Sequence, residues 1–217
     1  MALPETRKIR VYHLRPEFAG AAEVLVPTPE VQPDGRGVVQ VLDSLKTGDR
    51  EELFDLIEAK LQRYIPEVEK ISFIPGAQNK QLQVREKYIQ QPVPVSQLSE
   101  GTKLVLMILT ILHQPNPPSL ICIEDIDYGL HPRLFQKIVE LCFDIAHGEQ
   151  GIQILATTHN PYIIDLFKDH EEAVLLVEKR DAYTQFSTLA ERLEHLDVGE
   201  NPLGELWFSG ALNDHLA

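Results

Sequence analysis

The sequence predicts an α/β fold in which a mostly parallel sheet is covered by helices, and three observations predict it. After Pro94 the chain alternates short apolar runs with longer amphipathic stretches. Two of those runs, Leu120-Ile121-Cys122-Ile123 and Ile152-Gln153-Ile154-Leu155-Ala156, have the character of strands buried on both faces. Between them, the stretch 132–147 spaces Leu134, Ile138, Leu141 and Ile145 at helical intervals. Strand–helix–strand units of this length place their strands side by side and parallel.

Residues 1–95 form a mixed α+β portion. Ile9-Arg10-Val11-Tyr12-His13-Leu14 alternates apolar and polar residues, the pattern of a half-buried strand. A loop follows, punctuated by Pro27, Pro29, Pro33 and the turn-forming Asp34-Gly35. Val38, Val39, Leu42 and Leu45 then recur at helical spacing. A second helix is predicted over 50–64, with Leu53, Phe54, Ile57, Leu61 and Tyr64 on one face and Pro66 beyond its end. Ile71-Ser72-Phe73-Ile74 and Leu82-Gln83-Val84-Arg85 read as strands of a hairpin around Gly76-Ala77-Gln78-Asn79.

Residues 96–217 form the second portion. The spacing predicts an apolar-rich helix over 102–113 and a proline-rich connector over 114–119. The strand 120–123 comes next, then the helix 132–147, with Pro132 in the first turn, where its missing N–H costs nothing. The strand 152–156, a helix over 161–167 and a third strand over 173–177 complete the pattern. Ligands of such sheets gather at the carboxyl ends of the strands. Glu124, Asp125 and Thr157-Thr158-His159 fall at those ends.

Composition narrows the function classes. The formal net charge of −13 gives no broad basic surface for nucleic acid. No apolar run reaches the roughly 18–20 residues needed to span a bilayer, so no membrane partner is expected. The first residues show no secretory signal, and Cys122 and Cys142 read as buried core thiols of a reducing compartment. The expected location is the cytoplasm.

Three short motifs carry the chemistry, and each has a plainer alternative. Glu124 and Asp125 follow four apolar residues, with Asp127 two positions on. One carboxylate can hold Mg²⁺ while its neighbour polarises a water, or the pair simply meets solvent at a strand end. Ser99 stands where a helix N-cap belongs, with Gly101 and Thr102 behind it. A helix start offers free N–H groups and a positive dipole end to an anion, or is merely capped. His159 follows a strand as a loop residue or as a neutral imidazole able to bond a terminal phosphate oxygen. His131, beside Pro132, reads as structural or as an interface residue, and the other histidines show no metal-ligand spacing.

In order, these residues resemble the ATPase head of the ABC superfamily, in the branch of SMC, RecF and OLD-like proteins. The similarity is closer still to bacterial ATPases of the AAA-type "AAA_21" group. Leu98-Ser99-Glu100-Gly101-Thr102 is similar to the signature motif and Leu120 to Asp125 to Walker B. Asp127-Tyr128-Gly129-Leu130-His131-Pro132 resembles the segment leading into the D-loop, and Thr157-Thr158-His159-Asn160-Pro161 the switch-histidine loop. Leu203-Gly204-Glu205-Leu206-Trp207 with Gly210 resembles the tail of the group, and Asp34-Gly35 with 38–45 its middle region.

The resemblance implies a P-loop NTPase-like fold in which two heads stack head to tail around ATP and Mg²⁺. Ser99, Glu100, Gly101 and Thr102 would meet the γ-phosphate held by another head. Glu124 would hold Mg²⁺, Asp125 and His159 would be catalytic, and Asp127, Gly129, Leu130 and His131 would line the interface. Three departures stand out. Glu100 and Thr102 replace the glycine and glutamine usual in transporters, and Walker B reads Glu124-Asp125 rather than Asp-Glu. No G-x-x-x-x-G-K-[ST] loop, the Walker A element that cradles phosphates, occurs in the 217 residues. The chain is therefore expected to be the C-terminal part of such an ATPase, incomplete without a Walker A-bearing segment or a second head. The alternative is an interaction protein that keeps the head fold without turning over ATP. Work in DNA repair or phage defence, and nucleic acid as a partner, enter through the resemblance alone.

Overall fold

The computed structural model describes residues 8–24, 26–27, 29–74, 79–194, 196, 199 and 201–212. They fall in two compact units, Met1–Thr157 and Thr158–Ala217. The pattern change at 95/96 lies inside the first unit.

The first unit runs β1 (Ile9–Tyr12), β2 (Glu23–Val24), α1 (Val38–Thr47), α2 (Glu51–Tyr64), β3 (Val68–Ile74), β4 (Asn79–Glu86), β5 (Val93–Pro94), α3 (Glu100–His113), β6 (Leu120–Ile123), α4 (Pro132–Ala146) and β7 (Gln153–Ala156). β1, β6 and β7 form a parallel sheet in that order, with Tyr12 opposite Ile123 and Ile123 opposite Ala156. The α/β class, with a parallel sheet and accompanying helices, thus stands as expected. β4 pairs antiparallel with β2, β3 and β5, and β3 with β4 is the expected hairpin. The proposed turn at Gly76, Ala77 and Gln78 lies outside the described residues.

α3 forms the middle of the core. Every residue from Leu104 to His113 is buried, as expected of a helix that is apolar nearly all round. Thr110 and His113 stay satisfied there by bonding the carbonyls of Leu106 and Leu109. Burial lowers the His113 pKa, opposed by its backbone hydrogen bond. α1 contributes Val38, Leu42 and Leu45 to the core, and α2 contributes Phe54, Ile57 and Leu61.

The second unit holds a 3₁₀ segment over Pro161–Phe167, then β8 (Leu175–Arg180), β9 (Tyr183–Thr188), α5 (Leu189–Leu193) and α6 (Leu203–Phe208). Its own small core joins Ile164, Leu176, Leu189 and Leu212, with Leu206 and Trp207 packed against them. Thr188 caps α5 in a reciprocal box with Glu191.

Four expectations need correction. The strand 152–156 is not buried on both faces: β7 is an edge strand, and Gln153, Leu155 and Ala156 are exposed. The third strand does not extend the parallel sheet. β8 instead pairs antiparallel with β9, because Asp181 at φ 52° turns the chain back into a hairpin. The helix over 161–167 is of the tighter 3₁₀ type. Cys122 and Cys142 are free thiols but only half-buried, Cys122 because it lies on the less covered face of the sheet. Among the described residues no helix is long and apolar enough to cross a membrane.

Candidate functional site

The carboxyl ends of β1, β6 and β7 meet at one edge of the first unit. Beyond β6 the sheet continues for one more bond, from the Glu124 N–H to the Tyr12 carbonyl at 2.9 Å. That step of register puts His13 beside Glu124, and the His13 Nδ1 lies 2.9 Å from the Glu124 Oε2. Both side chains remain exposed to solvent. His13 is the functional candidate that the motif-based reading missed. Its signal is the strand order, since the residue after β1 must face the residue after β6 once the two strands pair in parallel.

Asp125 leaves the strand sharply. Its φ of 47° lies in the left-handed region, which aspartate tolerates better than most residues. Thr157, at the end of β7, holds this turn from the neighbouring strand. Its hydroxyl accepts from the Asp125 N–H at 3.0 Å and its carbonyl from the Ile126 N–H at 3.1 Å. The Thr157 N–H in turn donates to the Ile123 carbonyl at 3.0 Å. Ile126 is buried below as an anchor, which leaves the Glu124 and Asp125 side chains outside. Two turns follow, the Asp125 carbonyl accepting from the Tyr128 N–H and the Asp127 carbonyl from the Leu130 N–H. His131 then caps α4 by accepting from the Arg133 N–H at 3.3 Å, so its structural role is real.

The signature-like segment packs against this loop. Ser99 caps α3, its hydroxyl oxygen accepting from the Thr102 N–H at 3.2 Å and lying 2.9 Å from the Thr102 hydroxyl. A Cβ on Gly101 would stand 3.0 Å from the Gly129 carbonyl oxygen. Gly129 itself sits at φ 71° with Glu100 and Leu104 alongside. Gly101 therefore leaves the gap into which the Gly129 carbonyl fits. The two segments lie against each other through Glu100 and Gly101 on one side and Gly129 and Leu130 on the other.

Between β1, α3 and the end of β6 lies a cleft of about 260 Å³. His13, Glu124, Asp125 and Tyr128 border it above an apolar floor of Leu104 and Ile108. Its volume falls just short of the about 300–1,000 Å³ typical of organic-ligand pockets. Among the described residues no group of three or more His, Cys, Asp or Glu side chains could cage a metal ion. Mg²⁺ commonly needs only one or two carboxylates, with water and phosphate completing its shell. The adjacent exposed pair Glu124 and Asp125 fits that smaller donor set.

His159 belongs to the second unit and is exposed. Its neighbours shape its loop: the Thr158 hydroxyl accepts from the Asn160 N–H, and the Asn160 side chain caps the 3₁₀ segment through the Tyr162 N–H, each at 3.1 Å. Gly204 of α6 closes on the same segment, its N–H donating to Asp165 at 3.2 Å. A Cβ there would lie 3.0 Å from the Pro161 carbonyl. The tail motif 203–207 thus braces the segment that follows His159.

Residues 36–165 match the AAA_21 family, described as "AAA domain, putative AbiEii toxin, Type IV TA system". Among solved structures the chain is similar to an Smc head domain from Pyrococcus furiosus, with an extended coiled coil, bound to the C-terminal domain of ScpA. The identity is 14% and the TM-score 0.49, over 66% of this chain and 36% of that one. A second SmcHead, bound to the C-winged helix domain of ScpA, is 12% identical with a TM-score of 0.43, over 68% of this chain and 48% of its own. The chain therefore spans between about a third and a half of the length of these two proteins. No curated protein matches it.

Proposed function

The chain belongs to the AAA_21 family of AAA domains, and from that premise we propose that it supplies the hydrolytic residues for an ATP whose phosphates are gripped by a loop outside these 217 residues. The observation that carries this is the end of β6. Two adjacent carboxylates stand at the carboxyl edge of a parallel sheet, and a threonine of the next strand fixes the backbone of the second. In an ATPase-like protein the work of such a site is positioning and charge compensation.

Glu124 is the residue to hold Mg²⁺, which when bound offsets charge on the β- and γ-phosphates. His13, bonded to one Glu124 oxygen, leaves the other free to turn toward the ion. Asp125 orients the attacking water and accepts its proton. Its left-handed backbone turns the chain out of β6 at this residue, and its side chain is exposed. Ser99 and the start of α3 present N–H groups and a positive dipole end to the γ-phosphate of a nucleotide held by another head. Asp127, Gly129, Leu130 and His131 line the contact between heads, and His159 meets the γ-phosphate from its exposed loop.

The test is calorimetry. The chain alone, with ATP and Mg²⁺, is expected to give no micromolar binding, because its 217 residues contain no G-x-x-x-x-G-K-[ST] loop whose backbone N–H groups would cradle the phosphates. Addition of a Walker A-bearing segment from a family member is expected to create a micromolar site. A micromolar site on the chain alone contradicts the proposal.

A further inference from the structure

The start of α3 is wedged between the two chain segments that leave the sheet at the candidate site. From β1 the chain passes His13, makes a 3₁₀ turn over Pro16–Phe18 and reaches Gly20. A Cβ on Gly20 would stand 2.5 Å from the Ser96 nitrogen and 2.9 Å from the Val95 carbonyl carbon. Val95 is fully buried and begins the 3₁₀ turn Val95–Gln97, which leads through Leu98 to the Ser99 cap. From β6 the chain passes Glu124 and Asp125 and reaches Gly129, whose carbonyl oxygen lies 3.0 Å from where a Cβ on Gly101 would stand. One glycine contact thus precedes Ser99 and one follows it, each with a segment that carries residues of the site.

Space is what both glycines supply. Neither has a left-handed backbone, so neither conformation calls for glycine. At Gly101 alanine would even favour the helix. The separations are shorter than the about 3.5–4.0 Å of ordinary carbon contact, and their partners are backbone atoms, which cannot swing aside as a side chain can. A methyl group at Gly101 must therefore displace the Gly129 carbonyl or the first turn of α3. From Gly129 the displacement has a short hydrogen-bonded path to the carboxylates. The Leu130 N–H donates to the Asp127 carbonyl, the Tyr128 N–H to the Asp125 carbonyl, and the Asp125 N–H to the Thr157 hydroxyl.

We infer that Gly101 is a positioning residue. Its clearance lets the Gly129 carbonyl seat against α3 and so sets the distance from the Ser99 end of that helix to Glu124 and Asp125. The Gly20 contact with Ser96 braces the same helix start from the His13 side, so the Gly101 side is where a methyl group is absorbed. Enlarging residue 101 moves the carboxylate pair and the helix start apart without removing any side chain or N–H group assigned to metal, water or phosphate. Use of this spacing in hydrolysis rests on the function proposed above; the spacing itself does not.

The test is Gly101→Ala in the full chain, read first by backbone amide NMR with nucleotide absent. The Asp125 and Ile126 resonances, which report the turn held by Thr157, are expected to move, while those of α2 keep their parent positions. Lys103→Ala, two residues on in the same helix, should leave Asp125 and Ile126 unmoved. In the chain complemented by a Walker A-bearing segment, Gly101→Ala should lower kcat at least tenfold at an unchanged KM for ATP, and Lys103→Ala should keep both. Unmoved Asp125 and Ile126 resonances in Gly101→Ala overturn the inference, as does a parental kcat. A parent complex that binds ATP without hydrolysing it sinks the proposed function instead, and the Asp125 and Ile126 resonances still decide the spacing.

Discussion

Asp125 combines a left-handed backbone at φ 47° with a side chain assigned to water, and the two demands can be separated by substitution. Asparagine also tolerates that backbone region, so Asp125→Asn should fold like the parent while losing the base. Valine carries a branched Cβ that the left-handed region excludes, and Asp125→Val should cost about 1–2 kcal/mol of stability, read from urea unfolding. Ser99 gives a second residue-scale test. Its hydroxyl caps α3, so Ser99→Ala should cost about 1 kcal/mol. If Ser99 also serves a nucleotide held elsewhere, its loss should reduce turnover in a complex by more than the lost stability explains. Restoration by Ser99→Thr of stability and turnover together would reduce Ser99 to a cap.

Helix positions were legible in the sequence because the apolar spacing that defines them is local. α1, α2, α3 and α4 begin and end within two residues of the stretches predicted from Val38, Leu53, Leu104 and Leu134 and their partners. The environment of the strands was not legible to the same degree. Leu155 lies in an apolar run, yet its burial depends on whether another strand and helix cover it, and no local pattern encodes that. The pairing of His13 with Glu124 spans 111 positions and appears only when β1 is placed beside β6. The β8–β9 hairpin turned on one left-handed aspartate that resembles any loop residue. Two predictions belong to this scale. In α3, burial holds the His113 pKa below its ordinary value. As pH falls, the unfolded chain binds this proton first, near pH 6.5, so His113 contributes stability above about pH 6.5 that is lost as pH drops toward its folded value. The urea midpoint of His113→Leu should therefore fall less between pH 7 and pH 5.5 than that of the parent; equal falls would exclude His113 as a source of acid lability. In α4, burial pushes the Cys142 thiol up to about 12 although the residue is only half-buried. Iodoacetamide at pH 8 should leave Cys142 unmodified in the folded protein and alkylate it in urea, as peptide mass mapping will report.

At the scale of the molecule, an acidic chain carries an ordered set of residues proposed to face a nucleotide, a sheet with Ile9, Val11 and Leu155 exposed, and no phosphate loop among its 217 residues. These features belong together if the chain completes its site only beside another segment. The charge of −13 favours a complementary partner over a second copy, and association should weaken as salt is raised through about 0.1–0.5 M. Sedimentation across that range will show whether charge or apolar contact dominates. The most direct measurement is single-turnover ATP hydrolysis by the chain mixed with a Walker A-bearing segment, comparing the parent with Asp125→Asn. The expected result is nucleotide-dependent association in both and a loss of at least about a hundredfold in the rate of the variant. Equal rates in the two proteins would remove the end of β6 from the chemistry and contradict the account.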